Sequence, residues 1–298
     1  MSTWILLRGL TRETRHWGGL PDALRQAAGA SRVLLIDLPG NGEFAHLRAP
    51  ATVAGMVEFV RIAAAEGGRV GTGAARRNAA SSDAVRADVS NTTPRGPFNV
   101  LAMSLGGMVA TAWAQRHPGE IARVVLINTS MRPFSRVHER LRPSAWPGLS
   151  TIVMHWNDAM HAERAIHRLT CNSVDALNAD LESWSMIRRS APVSRVNALR
   201  QLFAAARFTA GAAKPACPLL VLSSRDDRLV DPICSTKLAA AWGAPHREHA
   251  WAGHDLPHDD PAWIAEQLRA WLAQEAVDIE SMRQAAIARL QHEPGQRV

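Results

Sequence analysis

The chain is short of lysine and cysteine, and it has no long apolar run. Lys214 and Lys237 are the only lysines among 34 basic residues, so its cationic character is almost entirely arginine. The arginines are scattered, with no basic run and no nucleic-acid-binding motif, so the net charge of +7 does not by itself call for a nucleic-acid partner. The three cysteines, Cys171, Cys217 and Cys234, are odd in number and widely spaced. They form neither a disulfide framework nor a zinc pattern, and they fit a reducing cytoplasm. No apolar stretch approaches the roughly 20 residues of a membrane-spanning helix, so no span is expected. The opening Met1-Ser2-Thr3-Trp4 has no basic segment followed by an apolar one, so no signal peptide is expected. No Gly-x-Gly-x-x-Gly opens a helix after a strand and no His-Glu-x-x-His occurs, so no cofactor and no metal are expected.

What remains is a chain of 298 residues, 47% apolar and 20% charged, enough for one α/β domain with an insertion. Strand patterns at 4–7, 32–38, 98–101, 121–128, 218–223 and 247–251, those at 32–38 and 218–223 reading as buried, alternate with helical patterns at 21–28, 52–65, 108–117, 235–242 and 262–272. That alternation argues for a parallel sheet with right-handed crossovers. Residues 66–97, rich in Gly, Ala, Ser, Thr and Arg, read as a flexible surface insertion. Residues 133–213 show helical patterning without a convincing strand and read as a helical cap inserted over the site. Most of the cap's Trp, Met and Ile side chains, among them Trp146, Ile152, Val153, Met154, Trp184 and Phe203, are expected to pack, with a few lining an acyl or alkyl pocket. The core is then 1–132 and 214–298. Its last segment, 274–298, carries Ile279, Met282, Ala286 and Leu290 at helical spacing and reads as a docked helix with a frayed tail.

The sharpest signal is Val100-Leu101-Ala102-Met103-Ser104-Leu105-Gly106-Gly107. An apolar strand runs into small-x-Ser-x-Gly and then into an Ala-rich helix. Small residues at 102 and 106 suit a tight strand-to-helix turn, which would push Ser104 Oγ into a cleft beneath helix N–H groups. An acid-rich segment, Ser224-Arg225-Asp226-Asp227-Arg228-Leu229-Val230-Asp231, follows the 218–223 strand. The loop Ala252-Gly253-His254-Asp255-Leu256-Pro257 comes later.

A serine, then an acid after a late strand, then a histidine near the C-terminus resembles the order of the α/β-hydrolase superfamily. The resemblance covers about residues 4–273. It implies the α/β-hydrolase fold, a mostly parallel sheet flanked by helices with an inserted helical cap, and a triad of Ser104, Asp227 and His254. Asp227 is preferred because Asp227-Arg228-Leu229-Val230 is similar to the family's acid-x-apolar-Val pattern. Asp226 is the runner-up and Asp231 a helix N-cap candidate. Gly253-His254 matches the family's Gly-His loop, leaving His246, His249 and His258 as solvated or supporting residues. The resemblance also implies an oxyanion hole of backbone N–H groups from Leu10 and Leu105.

Several departures matter. Arg8-Gly9 stands where the family has His-Gly, and a cation there would favour an anionic or polar substrate. Ala102 replaces the elbow's first Gly, a change some lipases tolerate. Asp37-x-Pro-Gly-x-Gly is present, but Phe44 stands near a usual Ser, and because the first strand resembles the family's third, no opening antiparallel hairpin is expected in this sequence. A serine at the elbow excludes the haloalkane dehalogenase route, which needs Asp. The expected activity is a serine esterase acting on a small-molecule carboxylic ester through an acyl-enzyme. The alternatives are a thioesterase, or an ester hydrolase working on an acidic acyl carrier. A non-hydrolytic ligand receptor or lyase is the reading from another class.

Overall fold

The structure, a computed structural model, describes residues 2–67 and 96–292, with side chains described as far as residue 285. The expected insertion at 66–97 falls almost wholly outside those residues. Six strands pair in the order β2-β1-β3-β4-β5-β6: β1 (Thr3–Leu7), β2 (Arg32–Ile36), β3 (Phe98–Met103), β4 (Ile121–Ile127), β5 (Leu219–Ser224) and β6 (His246–His249). Every pairing among them is parallel.

Both faces of the sheet are covered, and successive strand residues divide between them. Ile5, Leu7, Val100, Ala102, Val124 and Leu126 enter one apolar cluster. There they meet Met56, Val57 and Val60 of α2 (Val53–Ala65), Val109 and Trp113 of α3 (Leu105–Arg116), and Leu238 and Trp242. Trp4, Leu6, Leu101, Met103, Val125 and Ile127 enter a second cluster, with Leu20 and Leu24 of α1 (Leu20–Ala28). The period of two follows from the pleat, and the near-continuous apolar strands follow from burial on both sides.

The first crossover runs from β1 outward to β2, and the next returns past β1 to β3. The order therefore reverses between β1 and β3. In open parallel sheets the crevice beyond the carboxyl ends of such a strand pair is where ligands bind. Gly9 and Ser104 lie just past those two ends.

Between β4 and β5 the chain runs through α4 (Trp146–Met154), α5 (Ala159–Thr170), α6 (Leu177–Ser190) and α7 (Arg195–Arg207). A bridge between Arg132 and Thr209 pinches this excursion at its base, where the Ala210 N–H donates to the Arg132 carbonyl at 2.8 Å. A buried ionic network holds the excursion on the sheet. Arg12 donates to Glu163 of α5 at 2.6 Å, and Arg188 of α6 donates to the other Glu163 oxygen at 3.1 Å.

Two expectations need correction here. Of the excursion's large apolar side chains, Ile152, Trp184 and Ile187 are buried, but Trp146, Val153, Met154, Met186, Leu202 and Phe203 are exposed. These helices are packed on one side only, and apolar spacing along a helix does not tell which side is covered. The C-terminal segment does continue as helix, in one element from Pro261 to His292 (α9), after α8 (Ile233–Trp242) and β6. Ile264 and Leu268 seat its first turns on the second cluster. Its later part is not docked, because Val277, Ile279 and Met282 stand exposed; the side chains of Ala286 and Leu290 lie outside the described residues.

Candidate active site

Ser104 sits between β3 and α3 with φ +53° and ψ −119°. Such a backbone costs about 1–3 kcal/mol for a residue with a Cβ and persists only where its surroundings enforce it. They do so here. The Ser104 N–H donates to the Ile127 carbonyl at 2.9 Å, and its own carbonyl accepts from Thr129 Oγ1 at 2.8 Å. Gly106 lets the helix approach β1, since a Cβ there would lie 2.7 Å from the Arg8 carbonyl oxygen. Gly9 is nearly as tight, because a Cβ there would lie 3.1 Å from Ser104 Cβ. The small residues around the serine are thus required by backbone approach. Among the described residues the Ser104 hydroxyl has no hydrogen-bond partner.

The loop after β5 separates the two candidate acids. Asp226 is exposed. Asp227 is buried, and its Oδ2 accepts from His254 Nδ1 at 2.7 Å. Its Oδ1 accepts the Leu229 and Val230 N–H groups at 2.8 and 2.9 Å. Both oxygens are therefore saturated by donors, which orients the carboxylate and leaves the far nitrogen of His254 directed away from it. Asp231 bonds the Ile233 N–H at 3.1 Å, in the first turn of α8. His246 bonds Ser223 Oγ at 2.8 Å, His249 pairs with Asp260 at 3.3 Å, and His258 lies 3.3 Å from Asp180. His249 is buried, not solvated.

The Leu10 N–H, just past Gly9, has no partner among the described residues. The Leu105 N–H opens α3, where no carbonyl one turn back within the helix can accept it. Leu105 directly follows Ser104 in the chain, and Gly9, the residue before Leu10, lies against the Ser104 side chain.

The reading of Arg8 as a free cation in the cleft does not hold. Its guanidinium donates to both oxygens of Asp255 at 3.0 and 2.7 Å and lies 4.8 Å from the Trp17 ring centre. Both side chains are almost wholly buried. Burial alone would raise the Asp255 carboxyl, but the charge of Arg8, with Arg12 behind it, holds it below the usual carboxylate range. The pair ties the loop after β1 to the loop carrying His254.

Asn128 has a supporting role that sequence reasoning missed. At the end of β4 with φ +45°, it donates from Nδ2 to the His254 carbonyl at 2.8 Å and accepts the Ser224 N–H at 2.9 Å. It thereby joins the acid strand to the histidine loop. An Asn closing a β-branched strand carries no signal beyond ordinary turn preference. Asp37, by contrast, belongs to a recognised motif. It accepts the Thr14 and Glu43 N–H groups at 2.7 and 2.9 Å, and burial pushes its carboxyl up to about 6.

Comparison with known proteins bears on the family and the fold. The sequence matches the alpha/beta hydrolase fold family over residues 5–261. It is 29% identical over 168 residues to "Putative carbamate hydrolase RutD" of Klebsiella pneumoniae (strain 342), a match covering 53% of this chain and 59% of that protein. The chain thus spans less than two thirds of this curated relative. Among solved structures, the enol-lactonase from Burkholderia xenovorans LB400 superposes with a TM-score of 0.65 at 20% identity, covering 91% of each chain. A thermophilic esterase from Thermogutta terrifontis does so with a TM-score of 0.61 at 18% identity, covering 92% of this chain and 90% of its own. At such identities the structures speak to fold alone. Together with the all-parallel sheet and the serine at its switch point, the match across residues 5–261 shows that the chain belongs to the alpha/beta hydrolase fold family.

Proposed function

We propose that the protein is a serine hydrolase that cleaves a small or medium carboxylic ester through an acyl-enzyme. The observation that carries this reading is the buried 2.7 Å bond from His254 Nδ1 to Asp227, on loops flanking a serine held at φ +53°. Ser104 Oγ attacks the ester carbonyl carbon while His254 Nε2 takes its proton. The oxyanion accepts hydrogen bonds from the Leu10 and Leu105 N–H groups. The intermediate collapses, the C–O bond to the alcohol breaks, and His254 returns the proton to the departing oxygen. Water repeats the sequence on the acyl-enzyme and releases the acid. Asp227 holds the imidazole in the productive tautomer. No bond joins Ser104 to His254 in the free protein, and such contacts commonly tighten only with substrate.

In this reading the helices between β4 and β5 form a cap, bounded by residues 133–213, whose inner face sets the acyl specificity. The three buried, unpaired thiols support an intracellular setting. A second reading is a thioesterase acting on an acidic acyl carrier, favoured by the net charge of +7. The likeness to RutD adds carbamates to the substrates worth testing. Steady-state kinetics on chain-length series of 4-nitrophenyl esters, with matched thioesters and carbamates, separates these readings. The proposal expects the highest kcat/KM on esters, lost in Ser104→Ala. Turnover of carrier-bound thioester alone, falling with salt, would favour the second reading. Ester turnover undiminished in Ser104→Ala would overturn the first.

A further inference from the structure

His167, Cys171, Asp180 and His258 converge beside the histidine loop. His167 and Cys171 are four residues apart, at the end of α5, so one helical face presents both. His258 lies on the short helix after His254, and Asp180 on α6. One donor atom each from His167, Cys171 and His258 lie mutually within 4.8 Å. Asp180 Oδ2 is 3.3 Å from His258 Nε2 and 3.8 Å from His167 Nε2.

Their chemistry and spacing suit a tetrahedral ion. Bonds of about 2.0–2.3 Å to nitrogen, oxygen and sulfur place neighbouring ligand atoms roughly 3.3–3.8 Å apart. The two carboxylate-to-imidazole separations match that range, and side-chain shifts of about 1 Å would bring in the thiol. An independent observation points the same way. His167 Nε2 is fully buried, faces this cluster and has no hydrogen-bond partner. Buried imidazole nitrogens are almost always satisfied, and a bound cation would satisfy this one. Two neutral imidazoles, one thiolate and one carboxylate would also neutralise a divalent ion, as a site this buried requires.

We propose that His167, Cys171, Asp180 and His258 bind one zinc-class divalent ion as a four-coordinate structural site. On binding, the Cys171 S–H gives its proton to solvent and the thiolate takes the fourth bond. The partial exposure of Asp180 and His258 provides the entry path. The ion joins α5 and α6 to the segment that carries His254, where the Asp255 N–H already donates to the Thr170 carbonyl at 2.7 Å. This inference does not depend on the hydrolase reading. It runs against the sequence expectation of no metal, and spacing motifs would not signal it, because the ligands come from three separate segments, with Cys171 and His258 87 positions apart.

The test is a Co2+ titration of tag-free, chelator-stripped protein, followed by absorption. The expected result is one Co2+ per chain, with visible tetrahedral bands and a near-ultraviolet thiolate-to-cobalt band, all displaced by Zn2+. Cys171→Ser should lose the thiolate band. His167→Ala should weaken binding by about 100-fold or more. Asp180→Asn, at a partly exposed position that should leave the fold intact, should weaken it by at least 10-fold, and Zn2+ should raise the wild-type Tm. Wild type without the thiolate band, or variants that bind as wild type does, would overturn the proposal.

Discussion

The bond between His254 and Asp227 sets what each side chain can do. With its Nδ1 given to a carboxylate already fixed by two backbone amides, His254 is locked in ring orientation and tautomer. Asp227→Asn would keep the shape but present an amide to Nδ1, and is expected to lower kcat on an ester by about 10⁴-fold with an unchanged fold by circular dichroism. Arg8 and Asp255 are coupled differently, as a buried pair outside the proposed chemistry. Removing Arg8 alone leaves a buried carboxylate, so Arg8→Ala is expected to cost about 3–5 kcal/mol in chemical denaturation, and more than an Arg8→Met, Asp255→Leu double substitution. Because the Asp255 carboxyl is depressed in the folded state, its contribution is fully present above its unfolded pKa of about 4. It is lost as pH falls through the depressed value, so the stability gap between wild type and Asp255→Asn should close only in strong acid. Legibility in the sequence follows contact range at this scale. Ser104 and Asp227 are marked by residues beside them. Arg8 and Asp255 are 247 residues apart, and nothing local shows that they meet.

At the scale of elements, the strand-turn-helix around Ser104 depends on backbone approach. Gly106→Ala would drive a methyl group into the Leu7 and Arg8 carbonyls, which lie at and just past the end of the central strand β1 and cannot readily yield. The expected result is a loss of about 1–3 kcal/mol, read from the denaturation midpoint, together with lowered activity as β1 and Leu10 shift. The central strands β1, β3, β4 and β5 were legible because both of their faces are largely buried, which leaves almost unbroken apolar runs; β6, His-Arg-Glu-His at the sheet edge, carries no such run. The helices between β4 and β5 were legible as helices but not in their packing. Trp184 and Trp146 look alike in sequence, yet one meets Arg12 and His258 while the other faces solvent. Trp184 is covered by Arg12, which also pairs with Glu163, and by His16 and His258, inter-element contacts that helical period does not encode.

For the whole molecule, the sheet order brings the three residues of the proposed triad to the carboxyl ends of the strands. The reversal between β1 and β3 opens the crevice, β5 supplies Asp227 on the loop beyond it, and β6 leads to His254. Asn128 and the Arg8–Asp255 pair lash these loops together. Among the described residues no helix is long and apolar enough to cross a membrane. The order of serine, acid and histidine carried this architecture in the sequence. The lashings between loops did not show, because they join positions 96 to 247 residues apart. The measurement that bears most directly on the account is labelling by a fluorophosphonate probe, with wild type, Ser104→Ala and His254→Ala compared at equal folded concentration. The account predicts stoichiometric labelling of wild type at Ser104, with none in Ser104→Ala and a rate reduced at least 10³-fold in His254→Ala. Folded wild type that fails to label, or that labels as fast without His254, would contradict it.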